Sequence, residues 1–177
     1  MGAPPLGPTI IPPVRTLWLR DRALDLDRVR LLGVLNLTPD SFSDGGRYLD
    51  PERALERARE MVAEGADILD LGAESTRPGA APVPVEEEKR RLLPVLEAVL
   101  SLGVPVSVDT RKPEVAEEAL KLGAHLLNDV TGLRDERMVA LAARHGVAAV
   151  VMHMPVPDPA TMMAHARYRD VVAEVKA

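Results

Sequence analysis

The chain has 177 residues, a net charge of −5 and no cysteine. That length suits one domain with a sizeable core. The charge excludes a broad basic surface for nucleic acid or an anionic membrane, and the missing cysteines exclude disulfides and thiolate metal sites. In chain order, residues 1–13 are Pro-rich and lack a basic segment followed by an apolar one, so no signal peptide is expected. No apolar run is long enough to cross a bilayer, and a cytoplasmic protein is the expectation. Residues 16–20 and 23–26 flank Asp21-Arg22 and read as a small hairpin.

From residue 30 onward, short apolar runs alternate with amphipathic segments. The runs are 30–36, 67–71, 104–109, 125–129 and 148–153. Each is partly β-branched without strict alternation, as expected of strands covered on both faces. The segment 51–64 opens with Asp50 as N-cap and Pro51 at the first helical position, then closes at Gly65. The segment 85–101 begins with Glu86-Glu87-Glu88, an acidic run read as a solvated helix start that suits the positive end of the helix dipole. Segments 113–122 and 135–145 stop at Gly123 and Gly146. A last helical pattern begins at Tyr168.

Repeated βα units predict an α/β protein with a parallel sheet. A doubly wound sheet would carry G-x-G-x-x-G after its first strand, and that motif is absent. A (β/α)8 TIM-type barrel instead places polar residues at the C-terminal ends of several strands. Here those ends carry Asn36, Asp70 with Glu74, Asp109, Asn128 and His153. The barrel is the expected fold, with about five of its eight βα units present. Residues 1–177 are expected to form one barrel domain, incomplete at the C-terminus and cut inside its fifth helix. Residues 1–29 form an N-terminal extension and a hairpin at the barrel floor.

Scarce residue types mark the candidate site. Gln is absent, Asn occurs twice and Phe once, while Arg far exceeds Lys. Heat-adapted proteins favour such a composition, and high genomic GC gives a similar bias. Both asparagines, Asn36 and Asn128, fall at strand ends. The one phenylalanine, Phe42, lies in a polar, Gly-ended loop.

The stretch Gly33-Val34-Leu35-Asn36-Leu37-Thr38-Pro39-Asp40-Ser41-Phe42-Ser43-Asp44-Gly45-Gly46 resembles the first signature of the dihydropteroate synthase family. Leu69-Asp70-Leu71-Gly72-Ala73-Glu74-Ser75-Thr76-Arg77-Pro78-Gly79 resembles the second, with Ala73 where a second Gly is usual. Val106 to Lys112, Leu127 to Gly132 and Val151 to Met154 are similar to the third, fourth and fifth strand ends. The resemblance runs from about residue 30 to residue 177. It implies a transferase of folate biosynthesis that joins 7,8-dihydropterin pyrophosphate to 4-aminobenzoate, releasing pyrophosphate through an S_N1-like path.

The resemblance also distributes roles. Asn36 is implied as a ligand to Mg²⁺, which takes few protein oxygens beside water and phosphate; otherwise it is a turn-forming Asn before Thr-Pro. Asp109 accepts pterin ring N–H groups in this reading. Its bland alternatives are an N-cap near Pro113 or an ion pair with Arg111. Asn128 donates and accepts at a mixed pterin edge, and Met152 forms a pocket wall. Phe42, Asp44, Ser75, Thr76, Arg77 and Pro78 belong to loops meeting pyrophosphate or aminobenzoate, with Arg77 suited to anions. Glu74 is expected to hydrogen-bond loop backbone, and Asp70 and Asp129 to support loops. His153 lacks a visible acid–base partner, and His153 with His165 makes a poor zinc site.

Family residues after the sixth to eighth strands have no counterpart, so the chain alone is expected to be inactive. No residue of this segment is assigned as certainly catalytic. The resemblance implies a homodimer for the full-length enzyme. Alternatives are a pterin-binding methyltransferase barrel and a non-catalytic half-barrel.

Overall fold

A computed structural model describes residues 15–38, 50–75, 81–154, 156, 161 and 167–176. Five strands form one sheet: β3 (Leu32–Asn36), β4 (Ile68–Gly72), β5 (Val106–Asp109), β6 (Leu126–Asp129) and β7 (Ala148–Val151). They lie side by side in chain order, and every pair is parallel. Helices α1 (Pro51–Ala63), α2 (Val85–Leu100), α3 (Pro113–Leu122) and α4 (Glu136–His145) connect successive strands. A short helix, α5 (Val171–Lys176), follows β7 with no buried residue. Sequential parallel strands joined by helices make this part of a (β/α)8 barrel.

Local chemistry sets the helix ends. The Asp50 carboxylate accepts the Glu52 N–H at 2.9 Å, and Pro51 opens α1 where a missing N–H costs nothing. Asp135 caps α4 through the Arg137 N–H at 2.9 Å. Gly146 ends that helix in the left-handed region, φ 62°. Helix α2 has no side-chain cap, and acids occupy its first turn instead.

The alternation of strand side chains divides the sheet into two faces. Leu35, Leu69, Leu71, Val106, Val108 and Leu127 pack with Ala54, Ala58, Leu92, Leu96, Val115 and Leu120 in one buried cluster between sheet and helices. Each such Leu or Val contributes roughly 1.5–3 kcal/mol by burial. The opposite, inner face carries Leu32, Val34 and Val150 at 39%, 51% and 40% exposure. The same face holds Asn36, Asp70, Ser107, Asp109 and Asn128. The strands therefore have one apolar face and one mixed face.

Strands β1 (Thr16–Leu19) and β2 (Arg22–Asp25) pair antiparallel as the expected hairpin. Its turn is Arg20-Asp21, one residue earlier than read from sequence, with Arg20 at φ 61°. That backbone aims the Arg20 guanidinium at the carbonyls of Leu120 (2.8 Å) and Ala124 (3.4 Å), and Arg22 donates to the Gly103 carbonyl at 2.5 Å. Those carbonyls lie in the last turn of α3 and in the turns that feed β5 and β6. The hairpin thus sits at the N-terminal end of the strands, the floor, opposite the polar strand ends.

Candidate active site at the strand ends

Register brings the polar ends together. Asn36 pairs with Gly72, Gly72 with Asp109, and Asp109 with Asn128. One step toward the floor, Asp70 pairs with Ser107. A Cβ at Gly72 would lie 3.3 Å from both Cβ and Oδ2 of Asp109, so the glycine leaves room for the Asp109 carboxyl over the end of β4.

Asp109 neither caps α3 nor pairs with Arg111. Arg111 points instead at Glu74, and the N-cap of α3 is Lys112, with no side-chain cap bond. Burial, then the carboxylates of Asp70, Glu88, Asp129 and Glu74, push the Asp109 carboxyl up to about 7. Asn128 is half-buried, and its Nδ2 donates to Asp70 Oδ2 at 2.9 Å. Asp70 is 3% exposed and Ser107 fully buried; among the described residues Asp70 Oδ1 and Ser107 Oγ have no hydrogen-bond partner. Asn36 is exposed at the end of β3. Met152 follows β7 half-buried, its carbonyl 2.7 Å from where a Cβ of Gly132 would stand, which ties the loop after β6 to the end of β7.

A second charged cluster lies beside the first. Glu74 accepts the Val83 N–H at 2.9 Å, Arg111 Nε at 2.9 Å and Lys112 Nζ at 3.0 Å. Burial raises its carboxyl, but those donors outweigh burial and hold it at about 2. Lys112 Nζ also meets Glu88, which accepts Thr110 Oγ1 at 2.5 Å. Glu88 is fully buried, so the acidic run at 86–88 is not wholly a solvated helix start. A signal existed: Glu88 shares the stripe of Leu92, Val95 and Val99, the buried face of α2. The expected backbone bond of Glu74 is present. Its pairing with cations from the next loop was not legible, because the partners come from residues 37 and 38 positions away.

Asp129 is fully buried and takes three donors from its own loop: the Thr131 N–H and Oγ1, each at 2.8 Å, and the Leu133 N–H at 3.1 Å. His153 stands two residues beyond the end of β7, exposed, its ring 5.6 Å from Tyr168. Among the described residues, no group of three His, Asp or Glu is placed to hold a metal ion. Ser75 is half-buried just after Glu74. Phe42, Asp44, Thr76, Arg77, Pro78 and His165 lie outside the described residues.

Residues 32–177 match the family described as pterin binding enzyme. The dihydropteroate synthase of Escherichia coli K12 is 46% identical over 160 residues, which cover 90% of this chain and 56% of that protein. A crystal structure of dihydropteroate synthase from Thermus thermophilus in complex with 4-aminobenzoate is similar with a TM-score of 0.79 at 90% identity, covering 92% of this chain and 57% of that one. A second structure of the Thermus enzyme, in complex with 6HMPPP, gives a TM-score of 0.77 at 86% identity, with 92% and 56% covered. The chain spans about half the length of these relatives.

Proposed function

Since this chain belongs to the family of pterin-binding enzymes, we propose that it carries the first five βα units of a dihydropteroate synthase. The whole protein would condense 7,8-dihydropterin pyrophosphate with 4-aminobenzoate to dihydropteroate and pyrophosphate. What supports this most is the juxtaposition of polar side chains on one face of the sheet: Asp109 and Asn128 are register partners at adjacent strand ends, and Asn128 donates to the buried Asp70 across the intervening strand.

In this reading the pterin lies over β4 to β6. Asp109, poised near neutrality, accepts a ring N–H. Asn128 offers an acceptor and a donor to the mixed edge of the ring. Met152 closes one wall. The ring stabilises the methylene cation left when pyrophosphate departs, and the arylamine attacks that carbon as its proton is lost. Ser75, Thr76, Arg77 and Pro78, with Phe42 and Asp44, form the loops that meet pyrophosphate and aminobenzoate.

Asn36 is the proposed Mg²⁺ ligand. The donor set fits the ion: one exposed neutral amide oxygen at the site mouth suits a cation that keeps most of its waters and takes phosphate oxygens. When bound, the ion would supply positive charge for the pyrophosphate. A cytoplasmic location and a homodimer of the full-length protein belong to the same reading.

The test uses the full-length protein containing this segment, supplied with dihydropterin pyrophosphate, 4-aminobenzoate and Mg²⁺. Dihydropteroate and pyrophosphate should appear in equal amounts. Pterin binding without either product would favour the methyltransferase reading and overturn this one.

A further inference from the structure

Asp70 is a costly residue for its place. It sits mid-strand at 3% exposure, where an ionised carboxylate needs partners. Asp129, on β6 two strands away, shows what a purely structural buried aspartate does: it takes three donors from its own loop. Among the described residues, Asp70 takes one, the Asn128 side-chain amide, reached across β5. Its other oxygen and the facing Ser107 hydroxyl are left without partners. Among the described residues no cation is paired with Asp70; Arg111 and Lys112, on the loop after β5, pair with Glu74 and Glu88. Helix caps, loop closure and ion pairing therefore do not account for Asp70.

Its one bond has a directional consequence. A carboxylate only accepts, so the Asn128 edge facing it must be the N–H edge. That fixes which way round the amide sits and leaves the Asn128 carbonyl oxygen, with the second N–H, for a ligand beside Asp109. We infer that Asp70 is a positioning residue for the pterin pocket, holding Asn128 in the one amide orientation that presents an acceptor to a ring N–H. This deepens the proposed function and rests on it. A ring offering an acceptor at that point meets the Asn128 oxygen head-on and is rejected.

The experiment is a double-substitution cycle in the full-length protein, read by calorimetric binding of dihydropterin pyrophosphate and by the KM for aminobenzoate. Asp70→Ala and Asn128→Ala should each weaken pterin binding about tenfold or more. The double variant should bind no more weakly than Asn128→Ala alone, because the two act as one unit. Asp70→Asn, whose carbonyl still accepts the Asn128 N–H, should restore binding to within about threefold of the unsubstituted protein. The aminobenzoate KM should stay unchanged throughout. Asp70→Ser, polar but too short to reach Asn128, replaces Asp70→Ala if that variant does not fold, with the same loss expected. Unchanged pterin affinity in folded Asp70→Ala or Asp70→Ser, losses that simply add, or failure of Asp70→Asn to restore binding would each overturn the inference alone. No pterin binding by the unsubstituted protein would overturn the pterin reading and this inference with it.

Discussion

Two groups of buried and half-buried acids lie close enough at one end of the sheet to feel each other's charge, and they are treated in opposite ways. Glu74 and Glu88 are matched by Arg111, Lys112, Thr110 and a backbone N–H. Among the described residues Asp70 takes a single donor, the amide of Asn128, Asp109 lies beside it without a matching cation, and two buried polar atoms there, Asp70 Oδ1 and Ser107 Oγ, lack partners. The first group joins the loop after β4, the start of α2 and the loop after β5. It is a structural joint whose charges cancel. The second has no matching cation among the described residues, and it lies where the proposed pterin would sit. Perturbed carboxyls arise in both, but in opposite directions: Glu74 is held down by donors, and Asp109 is pushed up by burial and like charge. The direction of the shift separates Glu74, matched by donors, from Asp109, left beside like charge.

The largest expected effect comes from breaking the joint. Lys112→Met leaves Glu88 buried without its cation, a loss of about 3–5 kcal/mol in stability. Denaturant unfolding of the full-length protein measures it. A change no larger than that of an exposed substitution would mean that Thr110 alone suffices for Glu88.

Asp109→Asn sharpens the contrast because its two effects have opposite signs. Pterin affinity should fall roughly ten- to a hundredfold, about 1.5–3 kcal/mol, as a charge-assisted bond is lost. Stability should not fall. The Asp109 carboxyl is raised in the fold, so its contribution is fully present below the unfolded value and is lost as pH rises from there through about 7. Removing the ionisable group should therefore raise the melting temperature at pH 8 and leave it nearly unchanged at pH 4. A lower melting temperature at pH 8 would place Asp109 in the structural group.

The smallest effect is expected at Glu74. Its carboxyl is depressed to about 2, so its contribution is present above the ordinary value near 4.5 and is lost as pH falls toward 2. Glu74→Gln should lower stability at neutral pH and flatten the loss of stability between about pH 4.5 and 2. An acid unfolding curve parallel to that of the unsubstituted protein would show that the Arg111 and Lys112 contacts add nothing net.

Local sequence carried the fold a long way. Asp50-Pro51, Asp135 and the closing glycines bounded helices because caps are chemistry of adjacent residues. The five apolar runs located five strands, and their polar last residues pointed to the barrel end where Asp109 and Asn128 meet. The resemblance of the loop motifs supplied the proposed roles, several of them on residues 42, 44 and 76–78 that lie outside the described structure. Position along the chain could not say that the hairpin turns at Arg20-Asp21, since Arg20 is held at positive φ while its guanidinium reaches carbonyls about a hundred residues away.

Periodicity and capping, set by neighbours within a helical turn, determined which residues form strands and helices and in what order. Tertiary structure alone decided the partners of the buried charges. Glu88 meets Lys112, Glu74 meets Arg111, and Asp70 meets Asn128 across an intervening strand, each pair brought together at long sequence separation by the packing of successive βα units. An acid's role depends on the charge and donors within a few ångströms of it, and for these residues those neighbours come from other βα units.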